Sequence, residues 1–518
     1  MSSESPPGSA SATAPAQQIA AGYAVEGQAL ELGTVVVDGT ADPTAQIRIP
    51  LATVNRHGLV AGATGTGKTK TLQVIAEQLS AAGVPVLMAD VKGDLSGLSR
   101  PGESSDKITA RAKETGDKWE ASAFPVDFLS LGTKGIGVPV RATIAAFGPI
   151  LLSKVLGLNA TQESTLGLIF HYADQKHYEL LDLKDLRAVI SKLASDEGKA
   201  DLKALGGVSA QTAGVILRAL VNLEAEGADT FFGEPELKPK DLLRFDDKGH
   251  GVISLLELGD QAARPVLFST FLMWVLSDLF KSLPEIGDVD KPKLVFFFDE
   301  AHLLFTDASK AFLEQVEQTV KLIRSRGVGV FFCTQLPTDV PNEVLSQLGA
   351  RIQHALRAFT PDDQKALTKT VRTYPKTDVY DLASALTSLG IGEAVVTVLS
   401  ERGAPTPVAW TRLRSPRSLM AAIGDDAIGT AAKSSPLQAT YGQTVDRESA
   451  YEKIEAEKAQ SAQAGPPAEA GSKSAPAGAK KPGWFNRFVN SRGFQTFLRA
   501  LGTELIRGMF GGGGRRRR

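Results

Sequence analysis

Gly62-Ala63-Thr64-Gly65-Thr66-Gly67-Lys68-Thr69 satisfies G-x-x-x-x-G-K-[ST] at every position. Residues of these types at this spacing can hold a run of phosphates. The glycines let the backbone turn its N–H groups inward, and a helix N-terminus adds partial positive charge where the phosphates sit. Lys68 supplies a charged donor for the β- and γ-phosphates, and the Thr69 hydroxyl can bind Mg²⁺. A dinucleotide-binding G-x-G-x-x-G is excluded, because the spacing differs and Lys-Thr follows the last glycine. The expected ligand is a nucleoside triphosphate.

A second group of candidates is the run Leu294-Val295-Phe296-Phe297-Phe298-Asp299-Glu300. Five apolar residues in succession describe a strand buried on both faces, here ending in two acids. Asp299 is placed to hold Mg²⁺ through Thr69 or a water, and Glu300 to polarise an attacking water as a general base. An acid pair after an apolar run is common; following a complete P-loop, it becomes specific. His302 completes Asp-Glu-Ala-His and reads as a helix start or a supporting residue. Gln335 follows another apolar run, Val328 to Cys333, where it can sense the γ-phosphate, orient water or cap the next turn. Arg56, Arg324, Arg326 and Arg351 compete to stabilise transition-state charge, a role often filled from a neighbouring subunit. Arg324 and Arg326 point about 200° apart on a helix, so at most one faces a given nucleotide. Asp90, just past an apolar run, either touches the Mg²⁺ water shell or is a plain turn acid.

The elements that position these groups are legible as a pattern. Leu59 to Ala61 is a short strand before the loop, and Leu72, Ile75, Ala76 and Leu79 give helical spacing after it. Val84 to Ala89 is a second buried strand, and Gly251 to Leu258 a third. Between them, residues 141–245 have helical spacing and predict a helical insertion. Ala262 to Leu283 and Glu314 to Arg326 predict helices, and Gly392 to Trp410 a hairpin. The fold class is α/β. Residues 1–22 predict a disordered tail, 23–50 a small N-terminal β element, 51–430 the nucleotide core, and 431–480 a low-complexity linker in which Val445 to Gln463 can turn transiently helical.

Composition narrows the setting. With 43% apolar and 22% charged residues, the 518-residue chain has the balance of a soluble protein. Its net charge of −1 singles out neither nucleic acid nor membrane. The one cysteine, Cys333, rules out a disulfide framework and reads as a small buried residue. No secretory leader is visible, and the apolar run Pro265 to Phe280 is broken by Ser269, Thr270, Ser277 and Asp278. A cytoplasmic protein is expected. The last segment differs from the rest: Lys480 to Arg518 holds ten Lys/Arg and one acid, net +9, leaving −10 for residues 1–479. With Trp484, Phe488, Phe494 and Phe497, residues 481–518 form a basic amphipathic tail that can grip DNA phosphates, lie on an anionic membrane or dock on the protein itself.

The succession of P-loop, Asp90-Val91-Lys92-Gly93-Asp94, helical insertion, Phe-Phe-Phe-Asp-Glu-Ala-His, Leu-Ile-Arg-Ser-Arg-Gly, Cys-Thr-Gln and Gly-Ala-Arg resembles the HerA/FtsK branch of additional-strand P-loop ATPases. It is most similar to the bacterial YjgR-type HerA-like proteins, across about residues 23–430. The resemblance implies a RecA-like core, a hexameric ring and ATP-driven movement on double-stranded DNA. It places Lys68 and Thr69 in Walker A, Asp299 and Glu300 in Walker B, and Gln335 at the polar sensor. Arg324 or Arg326 matches an arginine that archaeal members carry after Walker B, and Arg56 a subunit-bridging one. From the residues alone a second function class stays open: an ATP-dependent switch or scaffold acting on a protein partner without moving on DNA.

Overall fold

A computed structural model describes residues 14–463, apart from 91–92, 197, 205–208, 260–263 and 288. The basic tail 481–518, and residues 1–13 of the expected N-terminal tail, lie outside the described residues. The chain divides into two compact units, residues 1–459 and 460–518.

The framework of the first unit is one mixed sheet. In chain order the strands are β1 (Ala29–Val37), β2 (Thr40–Pro50), β3 (Gly58–Ala61), β4 (Val86–Asp90), β5 (Val126–Leu131), β6 (Val138–Val140), β7 (Ile253–Glu257), β8 (Leu294–Phe298), β9 (Val328–Thr334), β10 (Ala350–Gln353), β11 (Glu393–Thr397) and β12 (Ala409–Leu413). Their spatial order is β2-β1-β12-β11-β10-β3-β9-β8-β4-β7-β5-β6. From β10 to β6 all neighbours are parallel; β11, β12, β1 and β2 continue the sheet antiparallel. This is a RecA-like P-loop ATPase core with added strands. The N-terminal β1 and β2 extend the same sheet by pairing with β12, a long-range partner that local pattern does not reveal.

The parallel strands are buried on both faces because both faces carry helices. Alternation along β8 sorts the side chains. Phe296 and Phe298 join one core with the insertion and the helices Pro265–Ser282 and Lys310–Ile323. Val295 and Phe297 join the other, with Leu72, Ile75, Ala76 and Leu79 of the P-loop helix Lys68–Ala81. Rings pair across the strands: Phe297 on Phe331 and Phe298 on Phe332, with centroids 5.4 Å apart in each pair. The insertion between β6 and β7 contains the helices Ile144–Val155, Ala160–Gln175, Leu183–Ala194, Lys199–Ala204 and Ala210–Ala225.

Three segments depart from expectation. Pro15–Ala21 is a helix with Ala16 and Ile19 buried, and the Tyr23 hydroxyl donates to the Val396 and Pro407 carbonyls at 2.8 and 2.6 Å. The first part of the predicted linker is likewise docked. Asp425–Ser434, Gln438–Tyr441 and Ala450–Gln463 are helical, with Tyr441, Ala450 and Ile454 buried. The last of these helices falls within the stretch 445–463 expected to be transiently helical; the first two have anchors too widely spaced in Ala/Ser/Gly-rich sequence to give a periodic signal. Finally, β5 lies in a stretch of polar, uninformative surroundings, where its own alternation is easily missed. No described helix is long and apolar enough to cross a membrane.

Candidate nucleotide site

The site forms at the carboxyl ends of the parallel strands, where open α/β sheets place their ligands. β3 runs into the P-loop, held by bonds to β9 and to the segment after β10: Gly62 N–H donates to the Thr334 carbonyl at 3.2 Å, and Ala63 N–H to the Ala355 carbonyl at 2.9 Å. Gly62 has φ +150°, and a Cβ there would lie 2.5 Å from the His354 Cβ, so only glycine fits. Gly67, at φ +107°, opens the helix Lys68–Ala81. Thr64 and Gly65 at the tip are exposed. The Lys68 amine folds over the loop, donating to the Gly62 and Ala63 carbonyls at 2.6 and 3.2 Å. Lys68 thus stands over the cradle made by residues 62–67, with Thr69 one residue further along the helix. The cradle fits a phosphate chain: inward-turning glycine backbone, a cation at its centre, an open mouth.

His354 supports the loop from beneath. It is fully buried, its Nε2 lies 3.0 Å from the Thr71 hydroxyl, and burial together with the Lys68 charge pushes its pKa down to about 4. It therefore packs as a neutral imidazole against the cationic loop. Nothing in the local sequence distinguishes it, since a lone histidine just after a four-residue strand carries no spacing signal.

Asp299 and Glu300 end β8, two strands from β3. Burial, then the neighbouring Glu300, push the Asp299 carboxyl above the usual carboxylate range, while the Cys333 thiol donates to it. A divalent cation at this carboxylate would offset that cost, so Asp299 fits the ligand role that the sequence predicts. Cys333 is buried and its own pKa is raised, which leaves it a packed donor and not a nucleophile. Glu300 has φ +49°, a left-handed conformation that costs a non-glycine residue about 1 kcal/mol. Such strain persists only where the surroundings impose it. Here the Glu300 N–H donates to Asp299 Oδ1 at 3.0 Å and the Ala301 N–H to the Cys333 carbonyl at 2.8 Å. His302 starts a short helix, with Nδ1 3.4 Å from Glu300 Oε2.

The remaining candidates fall in different places. Gln335 follows β9 and is exposed at the same edge, next in register to Gly62. Asp90 caps the turn after β4, accepting from the Gly93 and Leu95 N–H groups at 2.7 and 2.8 Å. The arginines lie elsewhere. Arg56 precedes β3, and Arg324 and Arg326 precede β9, at the amino end of strands whose carboxyl ends hold the loop. Seven residues of β9 span about 20 Å. Arg326 donates to the Leu283 carbonyl at 2.7 Å, pairs with Glu285 and covers the Phe280 ring. Arg351 pairs in register with Leu59, and its Nη1 donates to the Thr373 carbonyl at 3.2 Å. The fold thus gathers Lys68, Thr69, Asp299, Glu300 and Gln335, and leaves Arg56, Arg324 and Arg326 at the other edge.

The chain is similar to known proteins in sequence and in fold. The family model described as "Helicase HerA-like C-terminal" matches residues 36–518. The DNA double-strand break repair helicase HerA of Saccharolobus solfataricus is 22% identical over 383 residues, covering 72% of this chain and 67% of its own. A probable helicase of Methanocaldococcus jannaschii is 31% identical over 153 residues, so the match spans only 27% of that relative and 28% of this chain. Among solved structures, the plasmid coupling protein TrwB in complex with ADP and Mg²⁺ superposes with a TM-score of 0.51 at 16% identity, covering 79% of this chain and 94% of that one. The shared fold and the extent of the family match lead to one conclusion: the chain belongs to the HerA-like helicase C-terminal family.

Proposed function

We propose that this chain is a Mg²⁺-dependent ATPase that works as a ring-shaped motor on double-stranded DNA in the cytoplasm. The observation that carries this reading is the Lys68 amine poised over the Gly62 and Ala63 carbonyls, with strained Glu300 at the same edge of the sheet. Lys68 binds and orients the phosphates, and Thr69 and Asp299 hold the metal. Mg²⁺, when bound, neutralises charge on the phosphate oxygens. Glu300 takes a proton from the attacking water, and Gln335 orients that water. Because Arg56, Arg324 and Arg326 stand at the far edge, an arginine that stabilises the transition state comes from a neighbouring copy, which supports a hexameric ring. DNA as the track is supported by family membership and by the helicases named among its relatives.

The test is ATP hydrolysis by the full chain with and without duplex DNA, with Lys68→Ala as control. Hydrolysis that rises with duplex DNA and vanishes in Lys68→Ala is expected. Turnover indifferent to DNA in an otherwise active enzyme overturns the DNA motor and leaves an ATP-driven switch acting on a protein partner.

A further inference from the structure

The sheet order sets the direction in which a triphosphate lies. β9 and β8, which lead into Gln335, Asp299 and Glu300, flank β3 on one side; β10 and β11 flank it on the other. With the γ-phosphate toward the acids, the nucleoside end of the ligand is carried over the ends of β10 and β11. Two large apolar side chains stand exposed there, Phe359 at 86% and Ile391 at 76%, above every other large apolar residue described.

Both rise from backbone that is tied down. The Phe359 and Thr360 N–H groups donate to Asp363 Oδ2 at 3.1 and 2.9 Å, within the capping box of the helix Pro361–Val371. Two residues earlier, Arg357 Nη2 donates to the Thr64 carbonyl at 3.3 Å. On the other side the Ile391 carbonyl accepts from Arg111 Nη2 at 3.3 Å. The next residue, Gly392, donates its N–H to the Thr66 carbonyl at 3.1 Å. That turn lies so close that a Cβ on Gly67 would be 3.2 Å from the Gly392 nitrogen. Two exposed apolar residues, each within two positions of a residue that bonds a P-loop carbonyl, thus stand on the nucleoside side of the cradle.

We infer that Phe359 and Ile391 form the seat of the nucleobase, the Phe359 ring stacking on the base and Ile391 packing beside it. The inference rests on the reading of residues 62–69 as a triphosphate site. Stacking on an aromatic ring accepts any base with an extended π-face, so this seat supplies affinity more than selection among bases.

The experiment measures the affinity of the full-length chain for ATP and for inorganic triphosphate, each with Mg²⁺, in wild type, Phe359→Ala, Phe359→Trp and Ile391→Ser. Inorganic triphosphate has no base and reports on the P-loop alone. The expected result is a loss of about tenfold for ATP in Phe359→Ala. A smaller loss is expected in Ile391→Ser, with recovery in Phe359→Trp and unchanged triphosphate binding throughout. ATP affinity unaltered in Phe359→Ala overturns the seat, as does equal loss of both ligands. An altered assembly mass with ATP binding intact also overturns it, assigning Phe359 to a contact between copies. A wild-type chain that binds neither ligand would instead overturn the P-loop reading beneath it.

Discussion

At the level of single residues, the site is a balance of desolvated charges. Lys68 gives up water for loop carbonyls, so a phosphate chain can replace them with charge-assisted bonds. Lys68→Ala is expected to weaken ATP binding at least tenfold, checked by calorimetry; undiminished affinity would remove Lys68 from the site. Glu257 offers a pH test. It ends β7 beside Asp90, and burial, then Asp90 and Asp425, push its carboxyl up to about 8. Since the folded pKa lies above the unfolded one, its contribution to stability is full below about pH 4.5 and declines as pH rises through about 8. Glu257→Gln should match wild type at pH 5 and exceed it at pH 9 by at most about 5 kcal/mol in urea unfolding. A constant difference between the two pH values would refute this. The residues most legible in the sequence were those whose chemistry fixes their spacing, such as the P-loop and Asp299-Glu300. His354 and the Cys333 donor were not, because their roles depend on strands brought together from distant parts of the chain.

At the level of elements, the P-loop helix explains its own buried polar residues. Lys70, Gln73 and Glu77, spaced to lie along one side, hold the segment that follows β12. Lys70 reaches the Met420 carbonyl at 3.2 Å, and Gln73 reaches Ser418 Oγ and the Leu419 carbonyl at 2.8 and 2.9 Å. Glu77 accepts from the Arg417 and Ser418 N–H groups at 2.8 and 3.1 Å. From there the chain continues past β5 to the insertion: Ser435 bonds to Asp127 of β5, Tyr441 to Asp241 and Ser449 to Asp185. Residues 417–459 form a strap from the nucleotide helix to the insertion, and the linker expected from composition supplies its second half, from 431 on. Composition concealed it because its anchors are single polar side chains and isolated buried apolar residues such as Ile428, Tyr441 and Ile454, set in Ala/Ser/Gly-rich sequence. Glu77→Leu would orphan donors at 417 and 418, at a cost of about 1–3 kcal/mol. Faster hydrogen exchange across 417–420 should accompany that destabilisation; unchanged exchange would show that the strap is held otherwise.

At the level of the whole molecule, the sheet carries Lys68, Asp299 and Glu300 at the carboxyl ends of its parallel strands, with Arg56, Arg324 and Arg326 before the amino ends of β3 and β9. The ring proposed above has one of these arginines complete the site of a neighbouring copy. Mixing Glu300→Gln chains with chains lacking the arginine that acts in trans should restore part of the ATPase activity, read in a steady-state assay. Mixtures no more active than their components would point to self-sufficient sites. The basic segment 480–518 should add affinity without chemistry. Truncation after Ala479 is expected to leave basal turnover intact and to flatten the salt dependence of duplex binding, by about 0.9 in log–log slope for each phosphate no longer neutralised. An unchanged slope would take the tail off DNA. The central claim is that hydrolysis runs through Glu300 at a site that binds ATP without it. Its most direct test is to measure ATP binding and ATP turnover together in Glu300→Gln. Binding close to wild type with turnover lowered at least a hundredfold is predicted; turnover at the wild-type rate would contradict the account.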